Sequence, residues 1–229
     1  MTAYNYKRFS TSNYDYGSFS GPTAGEEMLD FTLRSLDGAE AKLTDFKGQW
    51  LVLETGSLTC PMYVKNINPI KRVVQKYPDV QFLVIYIREA HPGTRRGPHQ
   101  TMGEKISVAR EMQQEYGEAR RVLVDDLDGS MHQAYGSFPN MVYVINPKGE
   151  VVYRCDWAYS HLIDKVLRDR PKLNFVERKR IVTAVPWIMV PVTLKGGWDA
   201  LWDILIALPA ILWGHLKVDV SSIFRKQSS

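Results

Sequence analysis

Two apolar runs, Trp50-Leu51-Val52-Leu53 and Val80 to Ile87 (VQFLVIYI), bracket a segment with helical spacing, and this arrangement constrains the chain more than any other feature. Neither run shows the polar alternation of a half-exposed strand, so both read as strands buried on two faces of an α/β sheet. Between them, Gly56 ends the first run and Pro61 suits the first turn of a helix in which Val64, Ile67, Val74 and Tyr77 recur at spacings of three, four or seven. The result is a β-α-β unit, with Pro69 expected to kink its helix. Upstream, Phe31-Thr32-Leu33, an Asp37-Gly38 turn and Ala41-Lys42-Leu43 predict a short N-terminal hairpin. Downstream, a Gly-, Pro- and Arg-rich loop (EAHPGTRRGPH) leads to a helix from Glu104 to Tyr116 and a short strand, Val122-Leu123-Val124. Met141 to Ile145, the turn Asn146-Pro147-Lys148-Gly149 and Val151-Val152-Tyr153 predict a second hairpin, and a helix from Tyr159 to Arg168 closes the domain. This order predicts an α/β fold with a mixed central sheet flanked by helices.

The flanking segments differ in composition and divide the chain into residues 1–24, 25–170 and 171–229. The first holds Tyr4, Tyr6, Phe9, Tyr14, Tyr16 and Phe19 among small polar residues and reads as a flexible arm, its aromatics leaving packing on a partner or on the domain open. No secretory h-region is visible in it, so a cytoplasmic location is expected. In the last segment, Arg178, Lys179 and Arg180 precede Trp187, Trp198, Trp202 and Trp213, and only eleven uncharged residues separate Asp203 from His215. A bilayer span needs about 20 residues, so a transmembrane helix is not expected. This C-terminal helical extension is read as packing on the domain or across a homodimer, with peripheral contact at a membrane surface as the remaining option. The formal net charge of +4, with basic and acidic residues interleaved, gives no case for nucleic acid.

With only Cys60 and Cys155, the chain has neither a disulfide scaffold nor a four-cysteine metal site, and no metal or bound cofactor is expected. Cys60 follows a buried strand and opens a helix, where unpaired backbone N–H groups and the helix dipole lower a thiol pKa. Ser57 and Thr59 flank it with hydroxyls suited to donate to sulfur or to a bound anion. Cys155 is read as a structural cysteine that resolves Cys60 only if the sheet brings the two together, Cα atoms within about 7 Å.

The stretch from Gly25 to Leu53, with DFTLRSLDG and LTDFKGQWLVL, resembles the entry to redoxins of the thioredoxin fold. Gly56-Ser57-Leu58-Thr59-Cys60-Pro61 and Tyr86-Ile87-Arg88-Glu89-Ala90-His91-Pro92 are similar to the iodothyronine deiodinase family, whose strand–helix junction carries selenocysteine before proline. The likeness runs on through His99, Ser107-Val108-Ala109-Arg110 and Ala134-Tyr135-Gly136 to Tyr143-Val144-Ile145. It implies a thioredoxin-like fold, Cys60 as nucleophile, and Tyr86, Glu89, His91 and His99 as groups that orient substrate and deliver protons, with Ser57 and Thr59 beside the nucleophile. Glu89, two residues before His91, would orient its imidazole if the strand continued. The fold resemblance also implies that the Phe138-Pro139 bond is cis, with Pro139 facing the cysteine. The pattern departs from the family at three places: sulfur replaces selenium, Leu58 stands where some members have a second cysteine, and Arg88 replaces an acidic residue and is suited to attract an anionic substrate.

The implied reaction is reductive dehalogenation of an iodinated aromatic substrate with an external thiol reductant, histidine being tuned for proton delivery near neutral pH. A one-cysteine peroxidase, a thiol-disulfide oxidoreductase acting on disulfides, and a noncatalytic binding module are the alternatives. Leu53 stands where peroxiredoxins place a proline, and no C-x-x-C is present.

Overall fold

The computed structural model describes residues 4–14, 19–170 and 185–225, with side chains described as far as Trp213. Tyr16 and the cluster Arg178, Lys179 and Arg180 lie outside the described residues. Seven strands form one mixed sheet: β1 (Thr32–Ser35), β2 (Glu40–Lys42), β3 (Trp50–Gly56), β4 (Val80–Tyr86), β5 (Arg121–Val124), β6 (Val142–Ile145) and β7 (Val151–Cys155). Their order is β2-β1-β5-β4-β3-β6-β7. β3, β4 and β5 run parallel, while β1 on β5, β6 on β3, and both hairpins pair antiparallel.

Among the described residues, six α-helices accompany the sheet: α1 (Pro61–Lys76), α2 (Met102–Tyr116), α3 (Ser130–Tyr135), α4 (Ser160–Arg168), α5 (Pro186–Thr193) and α6 (Trp198–Arg225). The side-chain alternation of a strand sorts the apolar runs into two cores. Val52, Phe82, Val84, Val122, Val142 and Val144 point to the face that α1, α2 and α4 cover. Leu51, Leu53, Leu83, Ile85, Leu123 and Ile145 point to the other, where Phe19, Phe46 and Tyr135 of α3 complete the core. α1 continues through Pro69 to Lys76. α2 starts at Met102, earlier than expected, because Thr101 caps it: the Thr101 hydroxyl accepts from Glu104 N–H at 3.1 Å, and the Glu104 carboxylate accepts from Gln100 N–H at 2.8 Å.

One charged residue breaks the apolar run of β3. Glu54 has no exposed surface and shares its α1-facing side of the sheet with Val52. It accepts hydrogen bonds from Asn66 of α1 (3.1 Å), from Asn140 at the entry to β6 (2.7 Å) and from the Arg120 guanidinium. Arg120, before β5, also donates to Glu118 at 2.6 and 2.8 Å, and Tyr63 of α1 donates to Glu118 at 2.8 Å. Burial pushes the Glu118 carboxyl up, but the Arg120 guanidinium outweighs it and holds the group below the usual carboxylate range. Removing one partner of such a buried ion cluster costs about 3–5 kcal/mol, because it strands uncompensated charge.

The described residues of the N-terminal arm, expected to be loose, are packed instead. Tyr4 lies over Gly129, where a Cβ would fall within 1.9 Å of the ring, and its hydroxyl pairs with His132 Nδ1 at 2.9 Å. Phe9 and Phe19 are buried. The reason is Arg88, whose guanidinium carbon sits 4.6 Å from the ring centroids of both Tyr4 and Tyr6 and 5.5 Å from that of Tyr14. Such cation–π contacts contribute about 0.5–2 kcal/mol each, the more so when desolvated.

The C-terminal extension docks on the same side. Arg8 donates to both Asp203 carboxylate oxygens at 2.6 Å, and Asp199 accepts from Thr94 N–H and its hydroxyl at 3.0 to 3.1 Å. Among the described residues, no helix is long and apolar enough to cross a membrane.

Arg120→Met is expected to lower stability by about 3–5 kcal/mol, read as the urea midpoint at pH 7. A double variant with Glu118→Gln should lose less than the sum of the two single variants, since less charge is left unpaired.

Candidate active site

Cys60 is the N-cap of α1, one residue before Pro61. Backbone N–H groups of Met62 and Tyr63 point at its sulfur and favour the thiolate, as the helix position predicts. Burial wins, however. Cys60 is 1% exposed, and desolvation, reinforced by the nearby Glu89 and Glu54 carboxylates, pushes the thiol up to about 12. The expected low-pKa thiolate is therefore corrected: the helix N-terminus is present, but apolar enclosure by Leu58, Tyr63, Val84 and Met112 outweighs it. The turn itself depends on Gly56, because a Cβ there would fall 2.5 Å from the Tyr63 ring.

Glu89 organises the surrounding groups. Its carboxylate accepts from Thr59 N–H at 2.8 Å, from the Thr59 hydroxyl and from the Tyr86 hydroxyl, and Tyr86 O lies 3.1 Å from His99 Nε2. Thr59, Glu89, Tyr86 and His99 thus form one buried hydrogen-bonded chain beside Cys60. The expected pairing of Glu89 with His91 is not formed: β4 ends at Tyr86, the strand alternation stops there, and Glu89 turns to Thr59 and Tyr86. His91 is held by its backbone N–H, which donates to the Thr59 hydroxyl at 3.1 Å, and its ring packs on Phe9 with centroids 4.7 Å apart. Burial depresses the His91 imidazole to about 3 and also lowers His99, so both rings are neutral at pH 7. Nδ1 of each ring is buried without a hydrogen-bond partner.

The other expected site residues have different duties. Ser57 Oγ accepts from Ala90 N–H at 3.2 Å, so the two hydroxyls near Cys60 are engaged with the loop after β4. Arg88 faces the tyrosine arm, donates to the Tyr4 carbonyl, and is buried; its stacking against three rings replaces the anticipated role in drawing in an anion. Pro139 is buried, but the Phe138–Pro139 bond is trans. Gly136 (φ 123°) and Ser137 (φ 63°) turn the chain before β6 through left-handed backbone, so the reversal needs no cis bond.

Cys155 pairs in register with Val142, which pairs with Glu54 of β3. Two strand spacings put it about 10 Å from β3, and it packs beneath α4 while Cys60 packs between α1 and α2. Neither thiol is in a disulfide, and the two pack in separate core clusters.

Two parts of the site went unread in the sequence. The first is the cover: Tyr6 donates to the Ala90 carbonyl at 3.0 Å, Phe9 stacks on His91, and Tyr14 is near enough for Cys60 to oppose its ionisation. The second is the Glu54–Arg120–Glu118 cluster, whose signal was the lone carboxylate inside an apolar strand.

A mixed sheet of this strand order, with a helix opening directly after β3, is a thioredoxin-like fold. The fold likeness is direct: the thioredoxin domain of a thiol-disulfide oxidoreductase from Bacteroides vulgatus superposes with a TM-score of 0.50 at 14% identity, covering 64% of this chain and 96% of that one. A chain assigned as the thiol:disulfide interchange protein DsbE from Chlorobium tepidum gives 0.51 at 16% identity over 66% and 96%. Within that class, residues 19–165 match the model of the iodothyronine deiodinase family, and the chain belongs to this family of oxidoreductases. Thyroxine 5-deiodinases of Ovis aries and Homo sapiens are each 37% identical over 114 residues, 45% of this chain. The chain spans 38% of the sheep protein's length and 37% of the human one's.

Because the thiolate is the reactive form, alkylation of Cys60 by iodoacetamide is expected to rise about tenfold per pH unit from pH 7 to 10 without a plateau, followed by peptide mass mapping. Phe9→Ala should raise the rate at every pH by loosening the cover; a plateau below pH 9 contradicts the buried, protonated thiol.

His91 provides a separate test. A histidine depressed to about 3 in the fold binds fewer protons than in the unfolded chain between pH 3 and 6.5, so acidification through that window destabilises the protein. His91→Phe is expected to flatten the fall of the urea midpoint between pH 6.5 and 4.

Proposed function

We propose that the protein is a thiol-dependent reductive dehalogenase of iodinated aromatic compounds, with Cys60 as the atom that takes the iodine. The observation that carries this reading is the Thr59–Glu89–Tyr86–His99 chain lying against the Cys60 turn in a member of the deiodinase family.

The roles follow from chemistry. The Cys60 thiolate attacks iodine, the carbon–iodine bond breaks, and its electron pair stays on the ring carbon, which takes a proton. The products are the de-iodinated arene and a sulfenyl iodide on Cys60. An external thiol then attacks the Cys60 sulfur, releasing iodide and leaving a mixed disulfide, and a second thiol frees Cys60 as the reductant disulfide departs. Two thiols are oxidised for each carbon–iodine bond reduced. Cys155 packs in a different core cluster from Cys60, and on this reading the electrons come from outside the chain.

Tyr86 is the proposed proton carrier, its phenol held between Glu89 and His99 so that a proton leaving it is replaced along the chain. The neutral rings of His91 and His99 each bring an unpartnered Nδ1, suited to receive or donate one hydrogen bond to a phenolic oxygen of substrate. Entry requires displacement of Phe9 from His91.

Purified protein with dithiothreitol and an iodinated phenol or thyronine is expected to release iodide, and Cys60→Ser to reduce release to background. Tyr86→Phe should lower kcat by about 10²–10⁴ with little change in KM. Peroxide consumption with Cys60 sulfenic acid and no iodide release is the outcome that assigns the site to peroxidase chemistry instead.

A further inference from the structure

The C-terminal extension presents an apolar surface that the catalytic reading leaves unused. On α6, Trp198, Trp202, Leu205, Ile206, Leu212 and Trp213 recur near i+4, i+7 and i+14, and all are exposed. The helix is anchored from its other side, where Ala200, Leu201 and Ile204 are buried. On α5, which has no charged residue, Trp187 is 78% exposed and Val190 also faces out. A scattered exposed tryptophan needs no account, but four on two consecutive helices, each with exposed aliphatic neighbours, are a concentration of the kind that marks an interface.

The shape of the patch selects its occupant. From Ile204 to Gly214 no residue is charged, and beyond Ile204 the residues opposite the exposed stripe, Ala207, Leu208 and Ile211, are themselves only half buried. A second protein surface covers one side of a helix, whereas a helix that is apolar all round belongs in a core or in lipid. Neither uncharged stretch reaches the roughly 20 residues of a bilayer span. Tryptophan favours the level of lipid headgroups, where its ring is buried and its N–H stays solvated. Beyond the stripe, Lys217, Arg225 and Lys226 face only Asp219 in the sequence, a net positive charge suited to anionic headgroups.

We propose that α5 and the first half of α6 lie in the interfacial layer of an anionic membrane and seat the domain on it. The proposal is independent of the chemistry at Cys60.

The test uses the full chain with vesicles of phosphatidylcholine alone or mixed with phosphatidylglycerol, read by co-sedimentation and tryptophan emission. Expected are binding to the anionic vesicles with a blue shift, weaker binding to phosphatidylcholine alone, and at least a tenfold loss of partitioning in Trp202→Ser/Trp213→Ser at unchanged melting temperature. If that variant melts low, Trp187→Ser on α5 carries the test, with a severalfold loss expected. Protein that stays in the supernatant with anionic vesicles overturns the proposal. So does equal binding by the variant and the parent, or a dimer by light scattering that the double variant converts to monomer while neither binds vesicles.

Discussion

A carboxylate with no exposure to water in an interior strand of the sheet has to be compensated, and the arrangement that compensates Glu54 ties the scaffold together. Its partners come from α1 (Asn66), from the segment before β5 (Arg120) and from the entry to β6 (Asn140), so one oxygen pair links three segments around the strand that delivers Cys60. Glu118 completes the charge balance through Arg120 and, by accepting from Tyr63, extends the link to the helix turn just past the cysteine. Apolar residues in these positions would pack as well or better. What the cluster adds is direction, because each hydrogen bond fixes the rotation of one element about the end of β3.

A second carboxylate does the same for the site at smaller scale. Glu89 joins the turn before Cys60 to the loop after β4, and Ser57 adds a parallel tie to Ala90. The loop then continues as the surface on which both ends of the chain converge. Tyr6 and Phe9 of the arm rest on residues 90 and 91, while Thr94 and Arg95 are held by Asp199 and Gly196 of the C-terminal extension. Arg8 bridges arm and extension through Asp203. That bridge is exposed on the arginine side, where solvent screens it, so it adds little. The stronger restraint on the arm is the desolvated stack of tyrosines around Arg88.

The elements that carry their own signal were legible in the sequence: the apolar runs became β3 and β4, the Asp37-Gly38 and Asn146 to Gly149 turns closed hairpins, and Pro61 marked the start of α1. The short α3 had no comparable signal, since six residues do not display a period and its N-cap is a glycine rather than a capping side chain. The identities of Cys60, Glu89, Tyr86 and His99 came from the motif, but their contacts did not. Where Glu89 points depends on the strand ending at Tyr86, and strand ends are set by pairing across the sheet. Arg88 illustrates the same limit: a guanidinium beside a candidate site reads as an anion receptor until the partner that stacks on it, far away in sequence at Tyr4 and Tyr6, is known. The state of Cys60 was the least legible of all, because the favourable backbone N–H groups are local to the motif and the desolvation that overrides them is a property of the whole core.

That desolvation has two opposite effects on reactivity, and their sizes decide between them. Raising the thiol from 9.0 to about 12 reduces the thiolate fraction at neutral pH by a factor of about 10³. It also makes the thiolate that does form a stronger nucleophile, but a Brønsted slope of about 0.4–0.5 recovers only about twenty- to thirty-fold. With the arm closed, the cysteine is therefore protected against adventitious oxidants and alkylating agents. On the proposed reading, reaction would begin with a change at the cover, one that removes Phe9 from His91 and brings a proton acceptor or a polar substrate group to the sulfur. Once the thiolate forms among apolar walls, the unspent nucleophilicity acts on whatever displaced the cover.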